Sequence, residues 1–224
     1  MPYLLHHGAH IYWEEHGAGE PLLLIMGLSF PLEMWSRILP PLSERYRVLV
    51  FDNRGAGRSD VPRGPYSMRL LAEDALAVIE AAGVSGPITV LGASMGGMVA
   101  QELALCHPDR VRALVLGCTA CGGVLRGYWP EWSHSPSWWL WLRGRGEIRE
   151  RALVPLLYAA GTPAERIEED IRIRAVRQPP LRGILWQLGA ILTWSSYNRL
   201  PRLQLPVLVI HGEEDYVLPP NNGR

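Results

Sequence analysis

Lysine is missing from this sequence altogether: all 22 of its basic residues are arginine. That absence excludes Schiff-base chemistry and any Walker-type phosphate loop, because both need the lysine side chain. Cysteine is scarce. Cys106, Cys118 and Cys121 are too few and odd in number for a disulfide framework, and they fit a reducing compartment. Cys118-Thr-Ala-Cys121 has no second Cys or His pair at ligand spacing, so it reads as neither a zinc site nor a redox pair. Long apolar runs are lacking too. Leu22 to Met26, the longest near the start, is too short for a signal-peptide core or a membrane span. There is no excess charge of either sign: 22 acids balance the arginines and are spread along the chain. A nucleic-acid partner is therefore not expected. These absences together describe a soluble, cytoplasmic protein with no membrane partner.

What is present is an ordinary globular composition, 48% apolar and 20% charged over 224 residues, enough for one sizeable domain with a packed core. Short β-type runs at Ile11 to Glu15, Leu22 to Ile25, Val48 to Phe51, Ile88 to Leu91, Val111 to Leu116 and Val207 to Ile210 alternate with helical stretches. Most are continuously apolar, as strands covered on both faces should be. Ser67 is placed to cap a helix carrying Leu71, Ala75, Val78, Ile79 and Ala82 on one stripe, with Gly83 as its stop. A second helix is predicted from Met95 to about Cys106, closed by His107-Pro108. The alternation implies a mostly parallel, doubly wound α/β sheet.

Seven of the nine tryptophans fall between residues 119 and 200, which marks a helical insertion. Within it Thr162-Pro-Ala-Glu165 reads as a capping box opening a helix that stops before Pro179-Pro180. The expected organisation is a core over 1–118, a tryptophan-rich helical cap over 119–200, and a return to the core over 201–224.

The chemistry centres on Gly92-Ala-Ser94-Met-Gly96-Gly97, a serine between glycines, directly after one apolar strand and directly before a helix. Glycine is needed there because a tight strand-to-helix turn leaves no room for side chains. Such a turn projects Ser94 Oγ clear of the sheet and aims the helix N-terminus, beginning with Met95 N–H, at the same point.

With this elbow stand Ile25-Met-Gly-Leu-Ser29, Asp52-Asn-Arg-Gly-Ala-Gly-Arg-Ser59 and Gly212-Glu-Glu-Asp215, each following a predicted strand, and in this order the chain resembles the α/β-hydrolase superfamily. The resemblance implies an α/β-hydrolase core with Ser94 as nucleophile, Asp215 as triad acid, and Leu28 and Met95 N–H groups as the oxyanion hole. It implies carboxylic ester or lactone hydrolysis, as in carboxylesterases, enol-lactonases and methylesterases, with no metal and no organic cofactor. Asp52, Arg54 and Ser59 read as structural members of a turn. Trp129, Trp138, Trp139 and Trp194 are candidates for lining the site, suited to a small-molecule substrate with an apolar or aromatic part. A homodimer is compatible with this reading.

One element of the family's pattern is missing. The triad histidine follows the acid in chain order, and no histidine follows Asp215. His6, His7, His10 and His16 belong to the first strands, His107 to a helix end, and His211 to the strand before the acid loop. His134 and His211 are the substitute bases to consider. Two expectations remain side by side. Either the natural polypeptide continues past Arg224 with a final strand, helix and histidine, or the chain is a relative that binds small molecules without turning them over.

Overall fold

The structure is a computed structural model and describes residues 2–122 and 135–223. Its first two strands, β1 (Tyr3–His6) and β2 (Ala9–His16), form a hairpin closed by His7 and Gly8, both at positive φ (44° and 71°). That is the turn whose twist matches the flanking strands. Then come β3 (Glu20–Ile25), the short helix α1 (Leu39–Ser43), β4 (Tyr46–Phe51), α2 (Met68–Ala81), β5 (Ile88–Ala93), α3 (Met95–Cys106) and β6 (Val111–Gly117). One seven-stranded sheet has the order β1-β2-β4-β3-β5-β6-β7, where β7 is Val207–Ile210. The first two pairings are antiparallel and the rest parallel.

The apolar runs of β3 and β4 are buried on both faces, and alternation sorts their side chains. Leu23, Ile25, Leu49 and Phe51 face the layer of α2 and α3, while Leu22, Leu24, Val48 and Val50 pack under Leu32 and Trp35 on the other side. α2 forms as its sequence requires: Ser67 Oγ accepts from Leu70 N–H at 3.1 Å, Leu71, Ala75, Val78 and Ile79 are buried, and Gly83 turns the chain at φ 70°. α3 spans the predicted residues.

Between β6 and β7 the described chain is helical: α4 (Pro136–Arg143), α5 (Gly146–Ala152), α6 (Val154–Leu157), α7 (Ala164–Val176) and α8 (Leu181–Thr193). The expected capping box is not formed. Pro163, at φ −57° and ψ 133°, occupies the N-cap of α7, and Thr162 N–H closes a turn onto Ala159 O, so the helix starts one residue later and without a side-chain cap. Among the described residues no helix is long and apolar enough to cross a membrane.

β7 pairs with β6 and forms an edge of the sheet. All four of its apolar residues are exposed, from 42% at Val209 to 56% at Leu208.

Candidate active site

Ser94 sits on the bend between β5 and α3 with φ 54° and ψ −121°, a backbone region that costs a non-glycine residue of order 1–3 kcal/mol. The glycines around it show why that bend is packed so tightly. A Cβ on Gly92 would lie 2.3 Å from Gly96 O, one on Gly96 would lie 2.0 Å from Ile25 O, and one on Gly97 would meet Thr119 at 2.6 Å. The strain is held by bonds to β6 and the segment after it: Ser94 N–H donates to Gly117 O at 2.9 Å, and Thr119 Oγ1 donates to Ser94 O at 2.6 Å.

Two cavities open on Ser94. One, about 470 Å³, is shared with Cys118 and with Gly212 to Asp215. The other, about 330 Å³, is lined mainly by apolar side chains, among them Met34, Trp138, Trp141, Leu153 and Leu156. Leu28 lines this second cavity. Gly27, beside it, is pressed against the elbow, since a Cβ there would lie 3.1 Å from Ser94 Cβ. Met95 is the first residue of α3 and its side chain is buried. The sequence-predicted residues thus come from three separate segments: Leu28 from the loop after β3, Ser94 and Met95 from the elbow, and Asp215 from the loop after β7, with Ser94, Leu28 and Asp215 lining the cavities.

Asp215 is held by its own loop, its Oδ1 accepting from Val217 N–H at 2.9 Å and Leu218 N–H at 2.8 Å. His211 Nε2 donates to Leu218 O at 2.6 Å and lies 3.5 Å from Asp215 Oδ2. It fixes the acid loop and lines neither Ser94 cavity. The other described histidines are also engaged elsewhere: His6 with Asp74, His10 with Asp60, His16 with Glu14, His107 with Glu73, and His7 edge-on against His6. Among the described residues, no histidine lines either cavity. His134 lies outside the described residues.

The tryptophan expectations divide. Trp138 lines the apolar cavity, but Trp139 and Trp194 do not. Trp139 is half exposed under Arg143, and Trp194 is buried, its indole N–H donating to Glu102 Oε2 at 2.7 Å. Trp129 lies outside the described residues. Trp141, not among the candidates, is the second tryptophan of the cavity and lies 4.8 Å from Trp138, centroid to centroid. The signal was present: positions three apart share a helix face, while 139 falls on another.

Cys118 lines both cavities, with its thiol pushed up by burial and by the nearby Asp215 carboxylate. A raised thiol is a poor nucleophile, which leaves Ser94 as the reactive candidate. Asp52, Arg54 and Ser59 line neither cavity. Asp52 is buried and accepts from Leu32 N–H and Arg58 N–H, Ser59 Oγ donates to Asp52 O, and Arg54 forms a buried two-point pair with Asp74 of α2.

A strained serine elbow at the carboxyl end of a parallel sheet, with an acid loop beyond β7, defines a hydrolase of the α/β class. The chain belongs to the alpha/beta hydrolase fold family, whose model matches residues 20–224. It is 31% identical, over 98% of its own length and 82% of the relative's, to a protein of Azorhizobium caulinodans that carries the name carbamate hydrolase RutD. It is 30% identical to the poly(3-hydroxyalkanoate) depolymerase of Ectopseudomonas oleovorans, over 91% of this chain and 71% of the relative. Among solved structures, the enol-lactonase of Burkholderia xenovorans LB400 superposes with a TM-score of 0.85 at 25% identity, over 100% of this chain and 85% of that one. These three relatives are hydrolases by name, and this chain has the hydrolase fold throughout its described length.

Proposed function

We propose that this chain acts in the cytoplasm on carboxylic esters or lactones of small molecules with an apolar part, through Ser94. The observation that carries the reading is that Ser94 lines two cavities at once, one bearing the Asp215 carboxylate and the other apolar. The apolar cavity would take the acyl part against Trp138 and Trp141, where burying apolar surface is worth about 25 cal/mol per Å². Ser94 Oγ attacks the carbonyl while its proton passes to a histidine imidazole, a group that none of the described residues supplies at Ser94, and that base returns the proton to the departing alcohol. The oxyanion forms opposite the Leu28 and Met95 N–H groups, the alcohol leaves, and water releases the acid from the acyl-enzyme. Asp215 would orient that imidazole and balance its charge once it is protonated. The names of the relatives, a depolymerase of a polyester and an enol-lactonase, support an ester or lactone carbonyl as the target.

A second reading has its own observation. Every described histidine is engaged away from Ser94, and a serine without a neighbouring base is a weak nucleophile. On that reading the apolar cavity binds a small molecule and releases it unchanged. Hydrolysis of a short-chain nitrophenyl ester separates the two: turnover that disappears in Ser94→Ala supports the hydrolase, and binding with no turnover supports the receptor.

A further inference from the structure

We propose that Gln187, on α8 of the helical insertion, is a positioning residue for the oxyanion hole. The loop after β3 carries Leu28, and the residue following it, Ser29, stands at φ 65°, a left-handed conformation that is uncommon and costly for serine. Gln187 is fully buried and bridges this loop to the turn after β4. Its Oε1 accepts from Ser29 N–H at 2.7 Å, and its Nε2 donates to Arg54 O at 2.8 Å. Both ends of the amide are used, so its orientation is determined by the bonds themselves.

The bridge depends on close approach of α8. One turn before Gln187, Gly183 lies flat against Gly55, where a Cβ would stand 2.3 Å from Gly55 O. Arg54 is in turn fixed by its buried pair with Asp74. The chain of contacts therefore runs from α2 through Arg54 and Gln187 to Ser29, one residue from the proposed oxyanion donor. The insertion thus holds the geometry of the reacting centre as well as covering the substrate. Small displacements of such a donor cost rate steeply, because the oxyanion is stabilised only where the N–H already points.

This inference rests on the reading of Ser94 as nucleophile and Leu28 N–H as oxyanion donor. Its test is nitrophenyl ester hydrolysis by the full chain and by Gln187→Met, which keeps the volume and removes both hydrogen bonds. The expected result is a fall in kcat of about tenfold to a hundredfold, less than loss of a whole donor, with KM unchanged. Binding of a trifluoromethyl ketone, which forms an oxyanion on Ser94, should weaken by the same factor, while a non-hydrolysable amide of the same acyl group should bind as before. Unchanged kcat, or equal losses for ketone and amide, would overturn the inference.

If Gln187→Met does not fold, Gln187→Glu carries the test. Its protonated carboxyl can accept from Ser29 N–H and donate to Arg54 O, so its kcat relative to the parent chain should recover as pH falls. A ratio that stays flat contradicts the proposal. Hydrolysis that ignores Ser94→Ala removes the underlying function and this inference with it; hydrolysis that needs Ser94 but ignores Gln187 removes the inference alone.

Discussion

Gly96, in the first turn of α3, lies so close beneath Ile25 at the end of β3 that a Cβ on it would stand 2.0 Å from the Ile25 carbonyl oxygen. The atom met is backbone, which cannot swing aside, so Gly96→Ala must push α3 away from the sheet. The expected cost is about 3 kcal/mol, at the upper end for overpacking, with loss of any Ser94-dependent hydrolysis. Urea unfolding and the ester assay together check this. A variant as stable and active as the parent would show that the elbow is not packed as described.

Three tryptophans of the insertion should behave differently. Trp138→Ala opens the apolar cavity and should raise KM or Kd for an apolar ester by about tenfold, equivalent to about 1.4 kcal/mol. Trp139→Ala should leave KM unchanged, since Trp139 lies outside the cavity. Trp194→Phe removes the indole donor from the buried Glu102 carboxylate, and should lower stability by about 1–3 kcal/mol without altering KM. Steady-state kinetics and thermal melts on the same samples distinguish these patterns.

Burial pushes the Asp52 carboxyl up to about 6 from an ordinary 3.8. A raised folded-state value means that the folded chain binds the proton more tightly than the unfolded chain. The contribution of Asp52 is therefore fully present below pH 3.8 and is lost as pH rises through about 6. Asp52→Asn lacks that dependence, although its amide can satisfy only one of the two N–H donors, Leu32 and Arg58, with its oxygen. The melting temperature of the parent minus that of the variant should decline between pH 4 and pH 7. A difference that rises over that range contradicts the assignment.

The exposed apolar edge of β7 should make the chain self-associate at high concentration, because unpaired strand edges recruit further strands. Leu208→Lys places a charge on that edge and should shift sedimentation toward the monomer. Equal association in both proteins would mean that β7 is not the contact.

How far the sequence reaches can be judged from particular elements. The elbow helix spans the predicted Met95 to Cys106 because its start is set by a rigid motif and its end by His107-Pro108. β3 and β4 are legible because burial on both faces leaves no polar residues in their runs. β1 is not legible in the sequence, since an edge strand with half-exposed, alternating residues carries a weak pattern. The Thr162 capping box failed because a four-residue motif says nothing about the turn that precedes it. Trp194 departs from the expectation for a different reason. Its partner Glu102 is remote in the chain, and only the fold brings the two together. Gln187 was invisible for the same cause: its two partners, Ser29 and Arg54, lie on other loops.

The central claim is that Ser94 is the reactive group of this chain, and the most direct measurement is nitrophenyl acetate hydrolysis by the parent and by Ser94→Ala at equal concentration and matched folding. The account predicts hydrolysis above the buffer rate in the parent and none above it in the variant. Equal rates in the two proteins would contradict it.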